Sequence, residues 1–348
     1  MTDGAPPDAG PCLPVGKLPA DLLEALLGLA PTEHPELLLG PGVGLDCAVI
    51  DQGERLLVCK SDPVTFVTDD PGRYLVRVNA NDIATTGAEP RWLMVTLLLP
   101  EGRADFAMAE RIMGQIGEAC RELRITLVGG HTEVTHGLAH PIAVGALLGE
   151  VARDRLVTPR GARSGDRVLL TKGVPIEGTA ILAAEFSERL RESVSPADID
   201  RARRFVDEPG ISVVEDARIA LGAGRVTAMH DPTEGGVAAA LWELARASGR
   251  LIRVDPAAIP VPPLAARICG ALGLDPLTTI ASGALLLTVA PEDASGIIRA
   301  LASASIPCAE IGEVGGEGAR VEGPDGTMPE PGRDALAALF DAPAASRE

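Results

Sequence analysis

Residues 152–164 (ARDRLVTPRGARS) are polar, basic and proline-containing, and they separate two stretches of chain built in the same way. On either side, short apolar runs closed by turn residues alternate with longer segments whose apolar positions recur at helical spacing. A 348-residue chain of this kind is expected to fold as two mixed domains, α/β or α+β, at roughly 100–200 residues each. The expected limits are 17–155 for the N-terminal domain and 160–320 for the C-terminal one, with a mobile leader over 1–16 and a low-order tail over 321–348.

In the first half the pattern predicts a helix over 17–29, strands over 45–50 and 55–61, a helix over 71–87, a strand over 91–100, a helix over 104–123, and strands over 125–130 and 141–151. In the second half it predicts a strand within 164–171, helix over 177–205, a strand over 226–231, a helix over 235–249, a strand over 283–289, a helix over 292–304 and a last strand over 308–314.

Composition excludes several classes. The formal net charge is −18, so polyanions are repelled rather than bound, and nucleic acid and anionic membranes are poor partners. Aromatics are only 2% of the chain, which removes base-stacking platforms and requires an aliphatic core. No run of 18 apolar residues and no basic-then-apolar N-terminus occurs, and six scattered cysteines form no CxxC pair, so the expected setting is the reducing cytoplasm.

Acidic residues beside small ones carry the chemical signal. Asp46 follows Gly-x-Gly in GVGLDCAVID, Asp62 ends a strand in KSDPVTF, Asp82 sits near Asn79 and Asn81 in NANDIATTGAEP, and Asp231 precedes Gly235-Gly236 in AMHDPTEGGV. LVGGHTEVTHG adds Gly129 and Gly130 as a turn, followed by His131, Thr132 and Glu133. Mg²⁺ is a hard cation that takes one or two carboxylates plus phosphate oxygens, and glycines let backbone N–H groups approach phosphate. Two or three converging aspartates therefore suit phosphoryl transfer, with Lys17 or Lys60 as a further point charge. Each feature also has a plainer reading: Asp46 caps a turn, and Gly235-Gly236 permits tight packing. His131, His136 and His140 fit no compact metal spacing, and GxxxxGK[ST], GxGxxG, GxSxG and HExxH are all lacking.

Taken in order, these segments resemble the aminoimidazole ribonucleotide synthetase superfamily, from about Lys17 to about Val314. GVGLDCAVID resembles its Gly-x-Asp-x-Ala-Val strand, KSDPVTF its Thr-Asp strand end, NANDIATTGAEPRW its Asn-Asp helix, and LVGGHTEV its Gly-Gly-x-Thr turn. AMHDPTEGGVAAALWELA is similar to the Arg-Asp-x-Thr-x-Gly-Gly segment of the hydrogenase-maturation carbamoyl dehydratase branch, as is VDPAAIPVPPLAARICGALGLDPL. The resemblance implies a two-domain fold whose N-terminal mixed sheet forms a barrel in a homodimer, with ATP in the cleft at that interface. It implies Asp46, Asp82 and Asp231 as Mg²⁺ ligands, Asp62 near the phosphates, and Lys17 and Glu133 in catalytic positions. It places Asn79, Asn81, Gly129, Gly130, Thr132, Gly235 and Gly236 around the nucleotide.

The implied activity is ATP-dependent activation of a small molecule or of an amide or carbamoyl oxygen, with a protein partner in a maturation or biosynthetic pathway. Two departures bear on the reaction. No cysteine follows Cys308, where the hydrogenase-maturation enzyme uses a C-terminal one as carbamoyl acceptor, and His131 replaces an acidic residue. Lys17 matches the lysine of the selenophosphate synthetase loop, while Cys12 reads as an incidental thiol. The alternatives are a small-molecule kinase like thiamine monophosphate kinase or selenophosphate synthetase, and a nucleotide-binding accessory protein without turnover.

Overall fold

The computed structural model describes residues 13, 15–42, 44–68 and 70–341, so Cys12 and most of the expected leader lie outside the described residues. The N-terminal half contributes strands β1 (Leu37–Leu39), β2 (Ala48–Asp51), β3 (Arg55–Val64), β4 (Glu89–Pro100), β5 (Thr126–Thr135) and β6 (Ile142–Ala152), and helices α1 (Ala20–Leu27), α2 (Pro71–Thr85) and α3 (Phe106–Glu122). The strands form one sheet in the order β1-β2-β3-β6-β4-β5, antiparallel except for the β4–β5 pair. Helix α2 lies against β3, β4 and β6, and α3 packs on α2 and β5.

The C-terminal half contributes β7 (Arg167–Thr171), β8 (Val226–His230), β9 (Arg250–Val254), β10 (Leu286–Val289), β11 (Cys308–Glu317), β12 (Arg320–Gly323) and β13 (Gly326–Thr327). These form a second sheet, ordered β13-β12-β9-β11-β7-β10-β8. Its helices are α4 (Ile176–Glu185), α5 (Ser187–Leu190), α6 (Pro196–Arg203), α7 (Val214–Ala223), α8 (Gly236–Ser248), α9 (Pro263–Ala271), α10 (Pro291–Ser303) and α11 (Ala335–Phe340). Strand residues alternate between the two faces, as the pleat requires. Val168, Leu170 and Leu286 join Val237, Leu241 and Leu244 of α8 in one apolar layer. Leu169, Leu285 and Leu287 join Ala217 and Ala220 of α7 and Ile297 of α10 in the other.

The single helix expected over 177–205 is instead α4, α5, α6 and a short 3₁₀ turn. The break before α6 is set by Ser195-Pro196, where the Ser195 hydroxyl caps the Asp198 N–H at 3.2 Å and Pro196 opens the new helix. The low-order tail expected over 321–348 is also corrected for 321–341. Leu336 and Ala337 are fully buried, and Phe340 stacks on Phe66 at 5.4 Å and meets Phe186 edge-on at 5.1 Å. This aromatic cluster uses three of the five phenylalanines to join the tail to both halves.

Asn81 is a second fastening between the halves. It is fully buried on α2, donates to the Ile211 carbonyl at 2.8 Å and accepts from the Val213 N–H at 2.8 Å. Asn81→Ala leaves both backbone groups buried and unpaired and is expected to destabilise the fold by about 2–4 kcal/mol. A lowered urea midpoint checks this.

Candidate active site between the two domains

Asp46 stands in the loop entering β2. Gly44 before it adopts φ +73°, and a Cβ there would meet the Glu243 carbonyl of α8 at 3.2 Å, so glycine lets the loop lie directly on the C-terminal domain. The contact is closed by charge. His230, at the end of β8, meets Asp46 Oδ2 through Nδ1 at 2.7 Å and Glu243 Oε2 through Nε2 at 2.8 Å. Lys17 Nζ pairs with the other Glu243 oxygen at 3.1 Å, and its backbone N–H donates to Glu234 Oε2 at 2.7 Å.

A second group forms on the N-terminal side. Lys60 Nζ, on β3, stands 3.1 Å from Asp62 Oδ2 and 3.0 Å from Asp82 Oδ2 of α2. Asp231 completes the set from the C-terminal side. It is fully buried, and among the described residues neither of its carboxyl oxygens has a hydrogen-bond partner.

The charge states follow from burial set against neighbours. Burial opposes protonation of His230 and Lys60, but Asp46 and Glu243 outweigh it for the imidazole, and Asp82, Asp62 and Asp46 outweigh it for the ammonium. Both cations are held well above their ordinary ranges. Burial raises Asp46, yet His230 and Lys60 pull it down to about 2. Burial pushes Asp82 well up against the pull of Lys60, and Asp46 adds to the push. Asp231 is driven well up by burial first, then by Asp82 and Asp46.

Lys17, Asp46, Asp62, Asp82 and Asp231 therefore meet at one inter-domain site, while several other expected site residues do other work. Asn79 and Asn81 are fully buried and saturated by backbone, not directed at a nucleotide. The Asn79 amide accepts from the Asp62 N–H at 3.0 Å and donates to the Leu75 carbonyl at 2.9 Å, so it fixes the backbone that presents Asp62.

Gly235 and Gly236 do not offer free amides to phosphate. The Gly235 N–H donates to Asp334 Oδ2 at 2.6 Å and the Gly236 N–H to the Thr233 carbonyl at 2.9 Å. Gly129 and Gly130 form no turn; they lie inside β5, and Gly130 at φ +145° is demanded by the close approach of the Val95 carbonyl on β4. His131, Thr132 and Glu133 follow on the same exposed edge strand, with His131 Nε2 paired to Glu133 Oε2 at 3.0 Å. None of the contacts of one chain brings Thr132 or Glu133 to the aspartates.

The three-aspartate cage is likewise not formed: among the described residues no three His, Cys, Asp or Glu side chains gather closely enough to hold a metal ion. Asp46 is committed to His230 and Asp82 to Lys60. The remaining donor set still fits a hard cation that completes its shell with phosphate oxygens. It is all oxygen, and Asp231 presents two orphaned carboxyl oxygens. The sequence reading had singled out neither His230 nor Glu243. The signal for His230 was its place at the Arg of the Arg-Asp-x-Thr pattern, where it supplies the same positive charge.

Residues 44–151 match the AIR synthase related protein N-terminal domain and residues 163–323 the C-terminal domain of the same family. The chain is 31% identical over 273 residues to a putative hydrogenase expression/formation protein of Methanocaldococcus jannaschii, covering 75% of this chain and 77% of that one. It is 33% identical over 261 residues to the carbamoyl dehydratase HypE of Bradyrhizobium diazoefficiens, covering 72% and 70%. The crystal structure of the hydrogenase maturation protein HypE in complex with ATP superposes with a TM-score of 0.68 at 25% identity, covering 88% of this chain and 92% of that one.

The pH dependence of stability follows from the directions above. His230, raised above its ordinary 6.5, stabilises in full below that value, and this is lost as pH rises through its folded value. Asp46, lowered from 3.8 to about 2, stabilises in full above 3.8, and this is lost as pH falls through 2. Asp231, raised above 3.8, weakens the fold increasingly as pH rises from there. His230→Ala strands two carboxylates and is expected to cost about 3–5 kcal/mol. Asp231→Asn is expected to stabilise the ligand-free protein at pH 7 by about 1–3 kcal/mol. Thermal melts from pH 4 to 9 check both.

Proposed function

The chain belongs to the AIR synthase-related family, and from that membership we propose that it is an ATP- and Mg²⁺-dependent enzyme that activates the oxygen of a carboxamide or carbamoyl group by phosphorylation. The carbamoyl dehydratase relative and the ATP-bound HypE structure support the reaction class. The observation that carries it in this chain is Asp231: two orphaned carboxyl oxygens, fully buried beside Asp82 and Asp46. A buried carboxylate without a partner is costly, and a site that keeps one is built for a cation that arrives with a ligand.

When bound, Mg²⁺ would sit on Asp231 with Asp82 or Asp46 and neutralise the phosphates. The chain's own residues orient and balance charge. Lys60, between Asp62 and Asp82, and Lys17 are the ammonium groups that would face phosphate oxygens, and His230 keeps Asp46 ionised. Catalysis of this kind is positioning plus electrostatic stabilisation. The five described cysteines, Cys47, Cys59, Cys120, Cys269 and Cys308, are free, which suits the cytoplasm, and no helix among the described residues is long and apolar enough to cross a membrane.

The site is completed by a second copy of the chain across β5. Leu127, Val128 and Val134 on this edge strand are 42%, 52% and 59% exposed, apolar residues in an exposed row that also includes Thr132 and Glu133. A second copy that covers this row brings the exposed Thr132 and Glu133 into a shared cleft, the place the resemblance gives them.

Asp82→Ala and Asp231→Asn are expected to lower ATP turnover at least 100-fold while both variants fold. The check is ADP release with a panel of carboxamides, with product mass showing loss of water. Undiminished turnover in Asp231→Asn would remove the metal role. Val128→Asp is expected to shift the protein from dimer to monomer in light scattering and to reduce turnover with it.

A further inference from the structure

Helix α4 opens against the segment 280–282. The Glu177 N–H donates to the Ser282 carbonyl at 3.1 Å and the Gly178 N–H to the Ile280 carbonyl at 3.0 Å. A Cβ on Gly178 would lie 2.6 Å from the Ile280 carbonyl, so the seal is tight. The helix terminus is thus consumed by backbone and offers nothing to an anion.

Two side chains are left over at this seam. Glu177 Oε2 and Ser282 Oγ are buried and neither has a well-formed hydrogen bond among the described residues, with Glu177 only 5% exposed and Ser282 fully buried. Ser282 nonetheless stands beside the carboxyl and, through its side chain and its backbone N–H, opposes the upward push of burial. Glu177 and Asp231 feel each other's charge, and Asp334 on the tail and Glu234 before α8 act on Glu177 as well. Tyr74 of α2 also lies within its field. The charges that act on it most are carboxylates, and it has no cation of its own comparable to Lys60 for Asp82.

Resting on the reading of this site as an ATP-dependent amide-activating centre, we propose that Glu177 is the proton acceptor for the substrate. Burial pushes the Glu177 carboxyl up to about 7, with Ser282 opposing and Asp334 adding to the push. That places it near the working pH of a general base. The carboxamide oxygen forms a bond to the γ-phosphorus as the bond from that phosphorus to the bridging oxygen of ADP breaks. The N–H proton of the amide passes to the Glu177 carboxylate, and nothing is oxidised or reduced.

The test uses the full chain with ATP, Mg²⁺ and a panel of carboxamides, alcohols and phosphate monoesters, reading ADP release and product mass. Glu177→Gln is expected to keep its thermal midpoint and its affinity for a fluorescent ATP analogue within about twofold. It is expected to lose at least 100-fold in kcat at nearly unchanged KM for ATP, and Glu177→Asp to recover at least tenfold over Gln. The wild type should lose kcat as pH falls through about 7, and Glu177→Asp should move that limb. Wild-type turnover by Glu177→Gln, or an acid limb that neither variant changes, overturns the assignment while leaving the amide reading intact. Phosphorylation of a phosphate monoester in place of a carboxamide overturns both. ATP consumption with no acceptor at all removes the functional reading and the assignment with it.

Discussion

The inter-domain site buries more carboxylate than the chain neutralises. Lys60 is shared between Asp62 and Asp82, and His230 between Asp46 and Glu243, so each cation is stretched across two acids. Among the described residues neither Asp231 nor Glu177 has an ion-pair partner, and His230 acts on Asp231 only as the last of its influences. Charge buried without a partner is relieved by taking up a proton or by meeting a counter-ion: burial raises Asp231 and Glu177, so both hold a proton more readily, and in the proposed function a ligand-borne cation takes its place at Asp231. Stability is thereby given up at the place where the proposed binding returns it.

The fold holds this deficit because one helix anchors it from several sides. Within four residues α2 carries Asn79, which fixes the backbone of Asp62, Asn81, which holds the 211–213 segment of the other domain, and Asp82, which faces Lys60. Such a helix cannot be amphipathic in the ordinary sense, since a polar residue meets protein on almost every side; twelve of its fifteen residues are buried. Both the nitrogen and the oxygen of each buried amide find backbone partners, so the polar groups lock the orientation of the domains rather than loosen it.

This explains what the sequence disclosed and what it withheld. The aspartates were legible because each stands at a strand end or in a helix beside small residues, a local pattern. Their partners were not, since His230 lies 184 positions from Asp46 and nothing near it announces the contact. The same limit misassigned Asn79, Asn81 and Gly235-Gly236: a motif shows that a residue is needed, but not whether it faces a ligand or the backbone of a distant segment. For Gly235-Gly236 the plainer reading of tight packing proved right, with carbonyls of Leu277 and Thr279 at 2.5 and 2.7 Å from where a Gly236 Cβ would stand. Helix α11 was missed because its six residues carry too little periodicity, and its stability comes from Phe66 and Phe186 elsewhere in the chain.

Strand β5 shows how the same limit extends past one chain. It is the edge of its sheet, parallel to β4 and exposed along nearly its whole length, with apolar side chains among its outward residues. A free edge of this kind invites further pairing, and proteins that keep one usually cover it. Thr132 and Glu133 stand on it, away from the aspartates that the sequence reading grouped with them. The two facts have one explanation if the strand belongs to an interface: the exposed row is then contact surface, and the residues that look stranded in one copy serve a cleft that two copies share. The charge deficit around Asp231 and the unpaired edge of β5 are then two parts of the proposed site: the carboxylates suit a ligand-borne cation, and the edge suits a second copy of the chain.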